Sequence, residues 1–231
     1  MTDPDALTRA WDGVGAIIHL AAVFAGSEQE LREVNVDGTR AVARAAEKLG
    51  ARLVMAGSAV VYAPGEMVDA DENHEKGPVD GYGWSKLLAE DELPPTACVL
   101  RLPSLISSAP CPMREMLVGL LRDAMIPHPE DRGAPIELAP VRDVARAAIL
   151  AVENDKARGP YNVSGRDRPR FLDIIESAAS AINVTPRWGS PEQLDPTLVR
   201  QATVARTLSL QRIQTELGYE PVEDWRSVLF A

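Results

Sequence analysis

Three stretches of the chain are apolar at nearly every position: "AIIHLAA" (16–22), "RLVMAGS" (52–58) and "ACVLRL" (97–102). Continuous runs of this length predict strands covered on both faces, as in a parallel sheet flanked by helices. Between them the apolar spacing is helical. "DPDALTRAWDG" (3–13) predicts a short helix with Asp3 as cap and Gly13 past its end. "VNVDGTRAVARAAEKLG" (34–50) predicts a helix that stops at Gly50, where a left-handed residue ends it best. "YGWSKLLAEDEL" (82–93) predicts a third, and Pro94-Pro95 prevents its continuation. Helix and strand alternate three times. That order implies an α/β fold, a parallel sheet joined by right-handed crossovers.

Beyond Pro103 the pattern loosens. "MREMLVGLLRDAM" (113–125) and "APVRDVARAAILAVEN" (139–154) read as amphipathic helices, the second with Val144, Ala147, Ala148 and Val152 on its apolar face. "GPYNVSG" (159–165) reads as a short strand, "FLDIIESAASAI" (171–182) as a helix, and "SLQRIQTELGYEP" (209–221) as a last helix and its exit. We therefore expect one domain over 1–231. Residues 1–103 and about 136–165 form its core. Residues 104–135 and 166–231 form a small substrate lobe over the C-terminal strand ends, where open α/β sheets place ligands.

The net charge of −10 leaves no basic stripe for nucleic acid or an anionic membrane. No run has the length of a transmembrane helix, and the N-terminus shows no signal-peptide pattern. Cys98 and Cys111 lack metal-ligand spacing and read as reduced thiols of a cytoplasmic protein. His19, His74 and His128 are scattered, and no metal site is expected. The run "DADENHE" (69–75) reads as a solvated loop.

Tyr82 and Lys86 are four apart and share one helix face. Two readings stand. They are surface residues, or the ammonium lowers the phenol's pKa and the pair acts as general acid or base toward a hydroxyl or carbonyl. Ser58, at the end of the second predicted strand, would face the same crevice and could bond the substrate oxygen; alone it is a turn or cap residue. Arg101 reads either as a phosphate ligand or as a structural strand-end arginine. Trp84 either covers the substrate or packs in the core, the second being our expectation.

Eight ordered pieces carry a resemblance: "AIIHLAA", "VNVDGT", "MAGSAVVYA", "YGWSK", "VLRLP", "VRDVARA", "GPYNVSG" and "LGYEP". Together they resemble the extended short-chain dehydrogenase/reductase family, NAD-dependent epimerase/dehydratase type. The resemblance implies a Rossmann-like sheet, NAD or NADP as cofactor and a small-molecule substrate. It implies Ser58, Tyr82 and Lys86 as catalytic residues, with Asn35 supporting the proton relay. It places His19, Leu20, Ala21 and Ala22 beneath the cofactor and Pro103 and Ser104 beside the nicotinamide, with Tyr82 and Lys86 also touching it. It makes Asp143 a structural residue and implies a homodimer built from helices 36–48 and 82–93.

The family pattern also has a glycine-rich strand–turn–helix ahead of these pieces, to cradle the pyrophosphate. "GVG" (13–15) leads into a strand, and "GYG" (81–83) opens the tyrosine helix. Two βα units and a strand, roughly 55–65 residues, would precede "TDPDAL", yet eighteen residues precede His19. Three explanations stand: a fragment begun at an internal methionine and inactive by itself, which we expect; a natural short form that has lost catalysis; or a partner that supplies the missing strands and covers "AIIHL", otherwise an open sheet edge. The function expected of the whole is NAD(P)-dependent oxidoreduction or epimerisation at a carbinol carbon. The alternatives are a non-catalytic nucleotide-sensing or partner-binding relative, and a nucleotide-sugar epimerase or dehydratase. For the last, a basic pocket for a diphosphate is needed, and Arg114, Arg122 and Arg132 are too few and too scattered to decide.

Overall fold

The computed structural model describes residues 3–190 and 193–230. Pro191, Glu192 and Ala231, within the expected lobe, lie outside the described residues. Four parallel strands form the central sheet in the order β1 (Ala16–His19), β2 (Arg52–Ser58), β4 (Cys98–Leu102), β7 (Gly159–Asn162). The strand β3 (Met67–Ala70) lies outside it. Among the described residues β1 pairs only with β2.

Alternation along β2 sets the layers. Leu53 and Met55 face helices α3 (Gly38–Leu49) and α4 (Gly81–Asp91); Val54 faces α6 (Val141–Glu153) and α9 (Gln211–Leu217). Both faces are covered, which is why the strands are apolar at most positions. Helix α1 (Pro4–Ala10) starts at Asp3, whose carboxylate accepts from the Asp5 and Ala6 amides, and packs Leu7 and Trp11 against α3. Gly50 ends α3 in the left-handed region, at φ 63°.

Two small parallel pairs flank the sheet. β5 (Ser104–Ile106) pairs with β6 (Leu138–Pro140), and β3 pairs with β8 (Arg206–Leu208). β3 thus ties the expected core to the expected lobe. Helices α5 (Pro112–Asp123), α7 (Phe171–Ala181) and α10 (Trp225–Leu229) enclose a second core of Ile106, Leu121, Ile126, Phe171, Ile175 and Trp225. Helix α8 (Pro196–Thr203) covers its edge with Ala202.

Three expectations need correction. The helix expected from Val34 begins earlier. Ser27 caps α2 (Glu28–Leu31) in a capping box with Glu30, and a π-helical turn, Arg32–Asp37, joins it to α3. The run 69–75 is not wholly solvated: Glu72 is buried and accepts the Asn162 amide at 2.8 Å. Trp84 is not in the core, being 50% exposed on the outer face of α4. Arg101 is 0% exposed and pairs with Glu90, which settles it as a structural arginine.

Candidate functional site

A cleft of about 480 Å³ opens at the C-terminal ends of β2 and β4. Crevices at this end of a parallel sheet are where α/β folds bind ligands. Ser58, Tyr82, Pro103 and Ser104 line it, from three different parts of the chain. Ser58 is the last residue of β2, and its hydroxyl also accepts the Val60 amide at 3.4 Å. Tyr82 stands in the first turn of α4, which Asp80 caps by accepting the Gly83 amide at 2.7 Å. Gly83 leaves room for this entry, because a Cβ there would lie 2.7 Å from Pro78.

Lys86 lies one turn deeper and is 4% exposed. Its ammonium donates to the Ala56 carbonyl at 2.8 Å. Burial draws its pKa down to about 8, and the charge of Glu90 opposes that fall. Burial raises the pKa of Tyr82 above its ordinary 10. Ser58 stands close enough to favour the phenolate, while the charge of Asp80 works against it. With its pKa raised in this way, Tyr82 holds its proton at neutral pH.

Asn35 is buried in the π-helical turn. Its side chain bonds Val23 and Ser85, so what it touches is the loop after β1 and the tyrosine helix. His19 does not reach the cleft. Its Nε2 lies 2.9 Å from the Thr39 hydroxyl, under α3, and burial with the Lys86 charge brings its pKa to about 4. Leu20, Ala21 and Ala22 are exposed beyond the end of β1, outside the cleft lining.

Several lining residues were not anticipated. Tyr62 forms one wall; its hydroxyl donates to Asn162 at 2.6 Å and accepts from Arg101 at 3.0 Å. Glu137 is buried with Arg168, Ser164 and the Leu208 amide around its carboxylate. Arg200, Gln201 and Arg206 come from α8 and β8. The cap at Asp80 was readable in the sequence, since an Asp lies just before an apolar helical run. The arginines were not, because they reach the cleft only through the β3–β8 pairing. Asp143 is fully buried and accepts the Val222 and Glu223 amides, so it anchors the chain before α10.

No curated protein matches the sequence. Solved structures do match in fold. The Bordetella bronchiseptica enzyme WbmG, solved with NAD and UDP, superposes with a TM-score of 0.79 at 20% identity, over 97% of this chain and 74% of its own. MoeE5, solved with UDP-glucose and NAD, gives 0.76 at 20% identity, over 97% and 80%. UDP-glucuronic acid 4-epimerase from Bacillus cereus, solved with NAD, gives 0.77 at 17% identity, over 96% and 73%. At such identities these neighbours show the fold. The family pattern itself covers residues 1–164, from α1 through Ser58, Tyr82 and Lys86 to the end of β7, and on that ground the chain belongs to the NAD dependent epimerase/dehydratase family.

Proposed function

We propose that the protein is an NAD-dependent oxidoreductase or epimerase-type enzyme that moves a proton on and off an oxygen of a small carbinol or carbonyl substrate. The observation that carries this is the convergence of Ser58 and Tyr82 on one cleft with Lys86 buried directly behind them. The residues present fit the nicotinamide end of the cofactor: Pro103 and Ser104 line the same cleft as Tyr82, and the Lys86 ammonium has spent one hydrogen bond on Ala56. NAD, when bound, takes or returns the hydride. The protein's own groups do the rest. Tyr82, protonated at neutral pH, delivers its phenolic proton to a carbonyl oxygen; Ser58 donates a hydrogen bond to the same oxygen. For the reverse direction the tyrosine needs positive charge brought near it, which Lys86 supplies once it swings from the Ala56 carbonyl.

A nucleotide-sugar substrate is the finer reading that one observation favours. Arg200 and Arg206 both line the cleft, and no carboxylate pairs with either among the described residues. Two cations facing a cleft suit a substrate bearing phosphate or carboxylate. We also infer a homodimer through α3 and α4, because Trp84 and Leu88 stand exposed one turn apart on α4.

The test is turnover of NAD(H) with carbonyl and nucleotide-sugar substrates, in protein that carries the family's glycine-rich βαβ segment ahead of these residues, with Tyr82 intact and with Tyr82→Phe. The variant should lose at least about 100-fold in kcat, the usual share of a general acid–base group. Equal turnover in both would remove Tyr82 from the chemistry.

A further inference from the structure

We propose that Glu90, clamped by Arg101, is a positioning residue for Lys86: it fixes a negative charge one helical turn from the ammonium and keeps Lys86 charged behind the cleft. The proposal rests on the reading of Tyr82 and Lys86 given above and extends it to residues that touch neither substrate nor cofactor.

The geometry runs through three successive residues of β2. The Ala56 carbonyl holds the Lys86 ammonium. Gly57 makes room for Val99, whose side chain would lie 2.6 Å from a Cβ there, and the Glu90 Oε1 stands beside the same spot at 3.4 Å. Ser58 faces the cleft. Across the strand pair, Gly57 is in register with Arg101. Arg101 grips Glu90 with two parallel bonds, Nη2 to Oε2 at 2.7 Å and Nε to Oε1 at 3.1 Å. A bidentate grip of this kind leaves a carboxylate little freedom. Arg101 is itself held by the Tyr62 hydroxyl at 3.0 Å and the Glu72 carbonyl at 2.9 Å. The charge on Glu90 is thus fixed in place by the sheet.

Glu90 is four residues after Lys86 and makes no direct ion pair with it; its field is what acts. The other elements around Lys86 offer little in its place. β1 contributes His19, which is neutral near pH 7 and bonded to Thr39. The π-helical turn contributes neutral Asn35, and α4 itself contributes neutral Tyr82 with Asp80 beyond it. β4 contributes Arg101, already committed to Glu90. Against burial, Glu90 is the charge that holds the ammonium.

Lys86 is one of four lysines, with Lys48, Lys76 and Lys156. In protein labelled with 13C at the lysine Cε, its resonance is the one lost in Lys86→Met, and its titration is read without substrate or turnover. The wild-type midpoint should lie near 8. Glu90→Gln should lower it by about one pH unit or more, and Glu90→Asp should restore most of the loss. Glu90→Gln leaves Arg101 buried without its partner and is at risk of misfolding. The double variant Glu90→Gln/Arg101→Met removes both charges together and should show a drop in the same direction, smaller because the guanidinium no longer opposes the ammonium. An unchanged Lys86 midpoint in either folded Gln variant overturns the proposal, even with a lower Tm, because it marks Glu90 as purely structural. In turnover, Glu90→Gln should move the basic limb of the kcat/KM profile to lower pH. A wild-type-like profile beside an inactive Tyr82→Phe would sink Glu90's role while leaving the tyrosine chemistry intact.

Discussion

Asn35 and Val23 bond each other twice: the Val23 amide donates to Oδ1 at 2.8 Å, and Nδ2 donates to the Val23 carbonyl at 2.8 Å. The same Nδ2 reaches the Ser85 hydroxyl at 2.8 Å, and Ser85 donates to the Tyr82 carbonyl at 2.7 Å. One buried amide therefore ties the loop after β1 to the helix that carries Tyr82. π-helical turns often mark functional positions, and this one points Asn35 inward.

Asn35→Ala strands the Val23 amide and carbonyl in a half-buried place. Each unsatisfied group costs about 1–3 kcal/mol. We expect Asn35→Ala to lower unfolding stability by about 2–4 kcal/mol, read as a fall in the urea midpoint with an unchanged m-value. A change below about 0.5 kcal/mol would mean that water replaces the amide and that the tie is unimportant.

His19 makes stability depend on pH. Its folded pKa, drawn to about 4 by burial and by the Lys86 charge, lies below the ordinary 6.5. Between those values the unfolded chain takes up a proton that the folded chain refuses. Stability is therefore lost as pH falls from about 6.5 toward 4 and levels off below. The loss attributable to His19 should approach about 3 kcal/mol. His19→Gln keeps a partner for Thr39 and removes the titration. Urea midpoints from pH 7.5 to 4 should diverge between the two proteins in that window; parallel curves would place the imidazolium in the folded state.

The strands of the central sheet were legible because burial on both faces favours apolar residues at most positions, and β2 spans the very run "RLVMAGS". The lobe was harder. β5, β6 and β8 are three residues each, too short to show a period, and they exist because partners from distant chain segments complete them. The helix start at Ser27 was missed although Ser27 and Glu30 spell a capping box. Trp84 misled by its type: a large aromatic suggests core, yet α4 buries Gly83, Ser85, Lys86 and Ala89 and turns Trp84 outward. Ser58 and Tyr82 were placed on one crevice by strand-end logic alone. Arg200 and Arg206 were not, since no local pattern says that a segment 120 residues after Tyr82 folds back over it.

Gly133 tests the join between the two chain segments of the lobe, where the first meets α8. Its backbone has φ 80° and ψ −172°, a region open essentially to glycine alone. A Cβ there would also lie 2.5 Å from the Ala202 carbonyl oxygen and 2.7 Å from Pro129. Gly133→Ala must strain the backbone and displace α8 together. We expect a loss of about 3 kcal/mol or more, with weaker substrate binding because Arg200 and Gln201 ride on that helix. Wild-type thermal stability in the variant would show that the turn relaxes freely.

The two cleft arginines should be separable. Arg206 is fixed, its Nη1 donating to the Ala63 carbonyl at 2.9 Å and the Gly65 carbonyl at 3.1 Å. Burial lowers its pKa, and the charge of Arg200 lowers it further. That mutual repulsion is relieved when an anion enters between them, so binding gains from both. Among the described residues Arg200, on the cleft wall, has no such backbone anchor, and its loss should be felt by the ligand alone. For a substrate bearing phosphate or carboxylate, Arg200→Gln should raise KM by about 10–100-fold with kcat nearly unchanged, the value of one or two charge-assisted hydrogen bonds. A neutral analogue should bind both proteins equally, and added salt should erase the difference. Arg206→Gln should in addition lower the Tm, because the Ala63 and Gly65 carbonyls lose their donor. If Arg200→Gln weakened the neutral analogue as much as the anion, the residue would be shaping the cleft rather than meeting a charge, and the nucleotide-sugar reading would lose its support.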